Sequence, residues 1–118
     1  MEEIRNISER VMLLYTHSDV VHRRGSLLEA TRKWWRCSKQ HAMEADYVFS
    51  VIDNVVREVY TITGCHYEMD DGSAYPHFND ERLVFSFTLA PENIRKKYTN
   101  KLLPREYHAG QNPVRYNF

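Results

Sequence analysis

Cysteine, glycine and proline are scarce in this chain, at two, four and four residues of 118. Two cysteines, Cys37 and Cys65, cannot build a disulfide framework, so the fold must rest on a packed core. So few glycines and prolines exclude low-complexity and collagen-like chains. No apolar run approaches the roughly 18 to 20 residues of a membrane-spanning helix, which leaves no expected membrane partner. The first residues show no charged-then-apolar leader, and the expected compartment is the reducing cytoplasm. Net charge is absent as well, because sixteen Lys and Arg balance sixteen Asp and Glu. No bulk field therefore draws the chain to nucleic acid.

What is present is a charge distribution that balance conceals. Between Arg23 and Lys39 stand six cations (Arg23, Arg24, Arg32, Lys33, Arg36, Lys39) against Glu29 alone. Arg95, Lys96, Lys97, Lys101 and Arg105 make a second basic segment, and Asp70, Asp71, Asp80 and Glu81 an acidic loop between the two. A dipolar chain of this kind can be neutral and still offer an anion-binding face. A solvated helix surface balanced by acidic neighbours is the alternative.

The length suits one domain, residues 1–118, with a single core. Ile4, Ile7 and Val11 fall at helical spacing, so residues 1–10 read as a helical turn or a loose arm. Val11 to His17 is a compact apolar run suited to a strand, and Ser18 to Gly25 has no period and reads as a loop. Ser26 with Glu29 three residues later matches a capping box. The main helix then runs through Leu27, Ala30, Thr31 and Trp34 on one face and Leu28, Arg32 and Trp35 on the next. Ser38 opens a shorter helical turn. Tyr47 to Ile52 and Val55 to Ile62 are rich in β-branched and aromatic residues, and Asp53-Asn54 between them tolerates the positive φ of a hairpin turn. Gly64 to Asp80 reads as a long polar-aromatic loop, Arg82 to Leu89 as a strand, and Pro91 onward as a short helix. The expected class is α+β, a small mixed or antiparallel sheet curled toward a barrel with one main helix.

Two constellations carry chemistry. In the first, Trp35 stacks on a base while Arg32 and Arg36 fork around phosphate; alternatively Trp35 covers the sheet and the arginines pair with Glu29, Glu44 or Asp46. In the second, Gln111, Asn112, Arg115 and Tyr116 bring amides, a guanidinium and a phenol to one rim that suits a nucleotide edge, or pin a C-terminal strand. Arg57 and Tyr60 on the hairpin are weaker candidates. His66, Tyr67, Tyr75 and His77 could form a lid, or pack down as a satellite cluster. Cys37 with His41, and Cys65 beside His66, match no zinc-ligand pattern, so no metal and no cofactor are expected. No nucleophile elbow, phosphate loop or carboxylate pair appears. A small nuclease using His17 or His77 is the enzymatic alternative.

The runs EATRKWWR, ADYVFSVIDNVVREVY and APENIRKKYTNKLLPREYHAGQNPVRY, in that order, resemble a family of small, mostly uncharacterised prokaryotic and phage proteins. That pattern has a Thr-Arg-x-x-Trp-Arg helix, an Ala-Asp-Tyr-Val hairpin and a Gly-Gln-Asn-Pro-x-Arg-Tyr ending. The chain departs from it at His66, where the family places tryptophan, and at Asp80-Glu81-Arg82, where it places a glycine-rich strand entry. The helix-then-hairpin order is also similar to PUA-like domains, small barrels that bind RNA or modified bases. The two constellations lead to the expectation of non-enzymatic binding of a nucleotide-like ligand, either a nucleic-acid element or a small nucleotide signal, and the phage distribution that the resemblance implies adds an anti-defence sequestering role. The competing reading is a protein-interaction module, whose partner is a host protein or a second copy, using exposed tryptophan and arginine.

Overall fold

The computed structural model describes residues 1–69 and 81–118, with the backbone alone at Met69 and Glu81. Among the described residues, five strands form one mixed sheet: β1 (Val11–Tyr15), β2 (Tyr47–Ile52), β3 (Val55–Met69), β4 (Glu81–Leu89) and β5 (Val114–Tyr116). Their order is β4-β3-β2-β1-β5, an open sheet with β4 and β5 at its edges. Its α+β class is as the sequence implies, but the sheet does not close into a barrel. In place of one main helix there are four short ones among the described residues: α1 (Ser18–Arg24), α2 (Leu27–Arg32), α3 (Lys39–Met43) and α4 (Glu92–Tyr98).

β1 lies inside the sheet, parallel to β2 and antiparallel to β5. That position explains its unbroken apolar run, because a strand covered on both faces needs no polar alternation. Val11, Leu13 and Tyr15 face one core cluster with Phe49, Val59, Ile94, Tyr98 and Leu103. Met12 and Leu14 face the other with Val48, Tyr60, Phe85, Trp35 and Ala42. The helical crossover α1–α3 thus supplies one cover and α4 the other.

The hairpin joining β2 and β3 turns at Asp53 (φ 52°) and Asn54 (φ 64°), the left-handed pair that a two-residue connection requires. Simple alternation fails one step later. Ser50 pairs with Glu58 but Val51 pairs with Val56, so Arg57 is an extra residue bulged out of the ladder. The bulge lets Val56 and Val59, three apart, enter the same core cluster. β3 also continues past Ile62 to Met69, paired with β4 across a second bulge. Gly64 to Met69 is therefore strand and not loop; the remainder of that expected loop, with Tyr75 and His77, lies outside the described residues.

Ser18 to Gly25 is the other correction. It holds helix α1 with Asp19 in the first turn, His22, Arg23 and Arg24 in the last, and Gly25 at φ 92° as the left-handed stop. Charges matched to the helix dipole and a glycine cap stabilise this turn where apolar periodicity is absent. Ser26 caps α2 by accepting from the Glu29 N–H at 3.1 Å. The reciprocal half of the capping box is replaced, since the Glu29 carboxylate pairs with Arg32 and Lys33. Residues 1–10 form no helix. Ile4 is 5% exposed within the core, its N–H bonded to Leu102 O at 2.9 Å, and the Asn117 amide donates to Glu9 O.

Candidate functional site

α2 ends at Arg32, and the chain continues extended through Trp34 and Trp35. Trp35 forms an antiparallel bridge to Leu83 on the edge of β4: its N–H donates to Leu83 O at 3.1 Å, and Leu83 N–H to Trp35 O at 2.9 Å. Unpaired groups on an edge strand are strong partners for a passing extended segment. This pairing outweighs continuation of the helix and separates the fates of the two tryptophans. Trp35 is 9% exposed, packs in the second core cluster and donates its indole N–H to Thr31 O at 2.8 Å. It is not an open stacking platform.

Trp34 turns instead to a cleft of about 340 Å³ at the end of β1. Tyr15, Thr16 and His17 form the floor, α1 contributes Arg23 and Arg24, and Lys33, Trp34 and Arg36 form one wall. Arg82 from β4 and the Asn112-Pro113 turn complete the lining. Hydrogen bonds fix these pieces. Thr16 N–H donates to Val51 O and Tyr15 N–H to Pro113 O, each at 2.9 Å, which docks the β5 turn against β1. Asn112 Oδ1 accepts from Val114 N–H at 3.0 Å. Arg24 donates through Nη1 to Lys33 O and lies 5.0 Å from the Trp34 ring centroid. Lys33 Nζ sits 5.1 Å from the same centroid and 3.4 Å from the Glu29 carboxylate. Burial pulls the Glu29 carboxyl upward, but the hydrogen bond and charge of Arg32, then Lys33, bring it below its ordinary value.

Arg23, Arg24, Lys33, Arg36 and Arg82 thus line one cleft, and none of the described lining residues is acidic. Trp34 Nε1 is buried without a hydrogen-bond partner among the described residues. Such a donor is costly to leave unmatched and is an uncommon feature of a cleft wall.

Of the nine residues the sequence singles out as ligand-binding, only Trp35, Arg36 and Asn112 touch this cleft, and Trp35 does so from the core. Arg32 is structural, with Nε donating to Phe85 O at 3.1 Å and Nη1 to Glu29. Arg115 spans the C-terminal turn, donating to His108 O and Glu106 O, with its guanidinium 5.5 Å from the Tyr107 ring. Tyr116 stacks on His41 at 3.8 Å. Its hydroxyl titrates above the ordinary range, first through burial and then through neighbouring Cys37. Tyr60 is buried and stacked on Phe87, with burial, then Glu58, pushing its hydroxyl up to about 12. Arg57 is exposed beside a separate depression with Ser18, Val21 and Asn100. Gln111 is exposed and is not part of the cleft lining. The sequence reading missed Trp34, Lys33 and the α1 arginines as site residues. Their signal was the run of cations from Arg23 onward.

The second basic segment does not join the first. Arg95 makes a two-pronged pair with Glu58 at 2.8 and 2.9 Å, Lys97 meets Glu9 at 3.2 Å, Lys96 meets Glu92 at 3.2 Å, and Lys101 meets Glu2 at 3.6 Å. A depression of about 550 Å³ beside the N-terminal arm is lined by Glu2, Glu3, Ile4, Arg5 and Pro104 and concentrates no single charge. Among the described residues no group of three or more His, Cys, Asp or Glu is placed to hold a metal ion, and no helix is long and apolar enough to cross a membrane. No protein-family model, curated protein or solved structure matches the chain.

Proposed function

We propose that this chain is a non-enzymatic domain that binds a nucleotide-like ligand in the cleft at the end of β1. The observation that carries the reading is the gathering of Arg23, Arg24, Lys33, Arg36 and Arg82 around one cleft of about 340 Å³, with no acid among its described lining residues. That volume lies at the lower end of small-molecule sites and suits one nucleotide. A free nucleotide is favoured over a strand on this ground, and a strand would enter with a single unit. Guanidinium groups bind phosphate oxygens through charge-assisted, often two-pronged hydrogen bonds. A protein that holds a nucleotide signal without turning it over withdraws that signal from its receptor, the anti-defence role implied by the phage-family resemblance.

Burial of Trp35 removes the main support for a tryptophan-centred protein interface. His17 lines the cleft, which brings the nuclease alternative to the same site. One experiment addresses these readings. The protein purified from cells is weighed by native mass spectrometry, then denatured to identify any released molecule, and the emptied protein is titrated with ATP and with a single-stranded octanucleotide. Expected is a released phosphorylated nucleoside, or a site that takes ATP more tightly than the octanucleotide, with no product after incubation. Tighter binding of the octanucleotide would make the ligand polymeric. Cleavage that His17→Ala abolishes would make the domain an enzyme. A protein that is empty and binds neither probe would end the nucleotide reading.

A further inference from the structure

We infer a second binding site, separate from the cleft, in which Arg57 holds the carboxylate of a short aliphatic ligand. The depression beside Arg57 measures about 390 Å³ and is lined by Ser18, Val21, Leu27, Ile52, Arg57 and Asn100, with no acid among these described residues. Arg57 owes its place to the β-bulge. As the extra residue between the Ser50–Glu58 and Val51–Val56 pairs, it leaves the ladder and stands exposed. Bulges of this kind re-aim a side chain and recur beside active sites. Glu58, the next residue, is already held by both prongs of Arg95. Among the described residues the Arg57 guanidinium makes no hydrogen bond or ion pair, so its donors are open to a ligand.

The surroundings of Arg57 are fixed by hydrogen bonds from several parts of the chain. Asn100 N–H donates to Val56 O at 2.7 Å and Val56 N–H to Lys101 O at 3.0 Å, which clamps the turn after α4 onto the residue before Arg57. Thr16 N–H donates to Val51 O at 2.9 Å, seating the start of α1 next to Ile52, and the Thr31 and Ser50 hydroxyls meet at 2.7 Å to tie α2 to β2. A lining held in this way loses little freedom when a ligand enters.

The chemistry of the lining selects the ligand. Val21, Leu27 and Ile52 supply an aliphatic surface, while Arg57 supplies a planar fork that a carboxylate meets with two parallel hydrogen bonds. Ser18 and Asn100 add neutral polar groups at the same place. One cation matches a monoanion, whereas a phosphate dianion would keep a charge unmet against apolar surface. The ligand class is thus a branched aliphatic group bearing one carboxylate. Such a group occurs as a free acid and as the last residue of a peptide ending in Val or Leu.

The test is a proton–nitrogen NMR titration of the full chain with 4-methylpentanoate, with 4-methylpentanol as the chain without the charge, and with acetate as the charge without the chain. The backbone signals of Val21, Arg57 and Asn100 are expected to move with 4-methylpentanoate, and both truncated probes to bind roughly tenfold or more weakly. Arg57→Gln should weaken 4-methylpentanoate to the level of the alcohol, with an unchanged melting temperature. N-acetyl-leucine then separates the two sources: tighter binding than 4-methylpentanoate assigns the site to a peptide terminus, and weaker binding assigns it to a free acid. Equal binding of acid and alcohol, equal binding of acid and acetate, full affinity in Arg57→Gln, or still signals at about 20 mM 4-methylpentanoate, a ceiling beyond the millimolar range of weak specific binding, would each overturn the inference. Should Arg57→Gln lower the melting temperature, Asn100→Gly carries the test, because Asn100 has φ 63° and glycine adopts that conformation freely. That variant should weaken 4-methylpentanoate about threefold or more, as the loss of one neutral hydrogen bond would, and unchanged affinity would overturn the inference.

Discussion

The two basic segments look alike in sequence and differ in what surrounds them. Around α4 and the turn after it, four cations meet carboxylates contributed by distant or neighbouring residues, Glu58, Glu9, Glu92 and Glu2. Around α1 and the chain after α2, five cations line one cleft whose described lining contains no carboxylate. The first arrangement fastens a helix to a sheet. The second gathers its cations along one described lining, with Glu29, the carboxylate that meets Lys33, standing outside it, and a cationic lining is what an anionic ligand favours. A count of Lys and Arg along the chain cannot separate the two, because the discriminating fact is the location of the acids.

The largest effect that separates the regions should come from Tyr98, the fully buried anchor of α4, whose ring lies 4.9 Å from that of Phe49. Tyr98→Ala is expected to cost about 3–5 kcal/mol by analogy with other buried aromatic truncations, read by denaturant unfolding, while ATP affinity below the melting temperature stays within twofold. Next comes Arg36→Ala, expected to weaken ATP roughly 10- to 100-fold, as the loss of a charge-assisted hydrogen bond would, with little change in melting temperature. Lys96→Ala, in the neutralised segment, should leave affinity unchanged. If the two substitutions weaken ATP equally, the contrast between the segments is void.

Acid pH sharpens the same contrast. Burial raises the Glu58 carboxyl, but hydrogen bonds from Arg95 and the Val59 N–H, with the Arg95 charge, outweigh it and leave the pKa below its ordinary 4.5. A folded-state pKa below the unfolded value gives stability that is present above about pH 4.5 and lost as pH falls through the folded value. Glu58→Gln should therefore lower the melting temperature at pH 7 and match the wild type near pH 3, with ATP affinity at pH 7 unaffected. A constant difference from pH 7 to pH 3 would assign Glu58 a packing role alone.

The smallest effect concerns Cys37, the residue after Arg36. Burial pushes its thiol up to about 11. At pH 8 roughly one molecule in a thousand then carries the reactive thiolate. Iodoacetamide labelling of Cys37 should be slow in the folded protein at pH 8 and accelerate at pH 10. Rapid labelling at pH 8 would mean that the positive field of the cleft reaches into the core at this residue.

The strands were legible because their signals are local. β-branched and aromatic runs mark β1, β2, the start of β3 and β4, and Asp53-Asn54 marks the hairpin turn. The second half of β3 was not, because Gly64, His66 and Glu68 are polar or small, and pairing with β4 supplies what propensity withholds. α1 escaped notice since Val20 and Val21 alone cannot set a period; its charges and Gly25 were the readable signs. The site was half legible. The basic run and the Trp-Trp pair pointed to a stretch that lines the cleft, yet choosing Trp34 over Trp35 required knowing that β4 offers Leu83 as a backbone partner, a contact forty-eight positions away in sequence. The same long-range pairing ends the helix, so helical spacing was the wrong ruler for those residues.

Two tryptophans in the chain make the decisive measurement simple. In a proton–nitrogen NMR titration with ATP, the account predicts that the indole signal of Trp34 and the backbone signals of Thr16, Arg36 and Asn112 move together along one binding curve, while Lys96 and Lys97 on α4 stay fixed. Shifts confined to α4, or no shifts at millimolar ATP, would contradict a nucleotide-binding cleft at the end of β1.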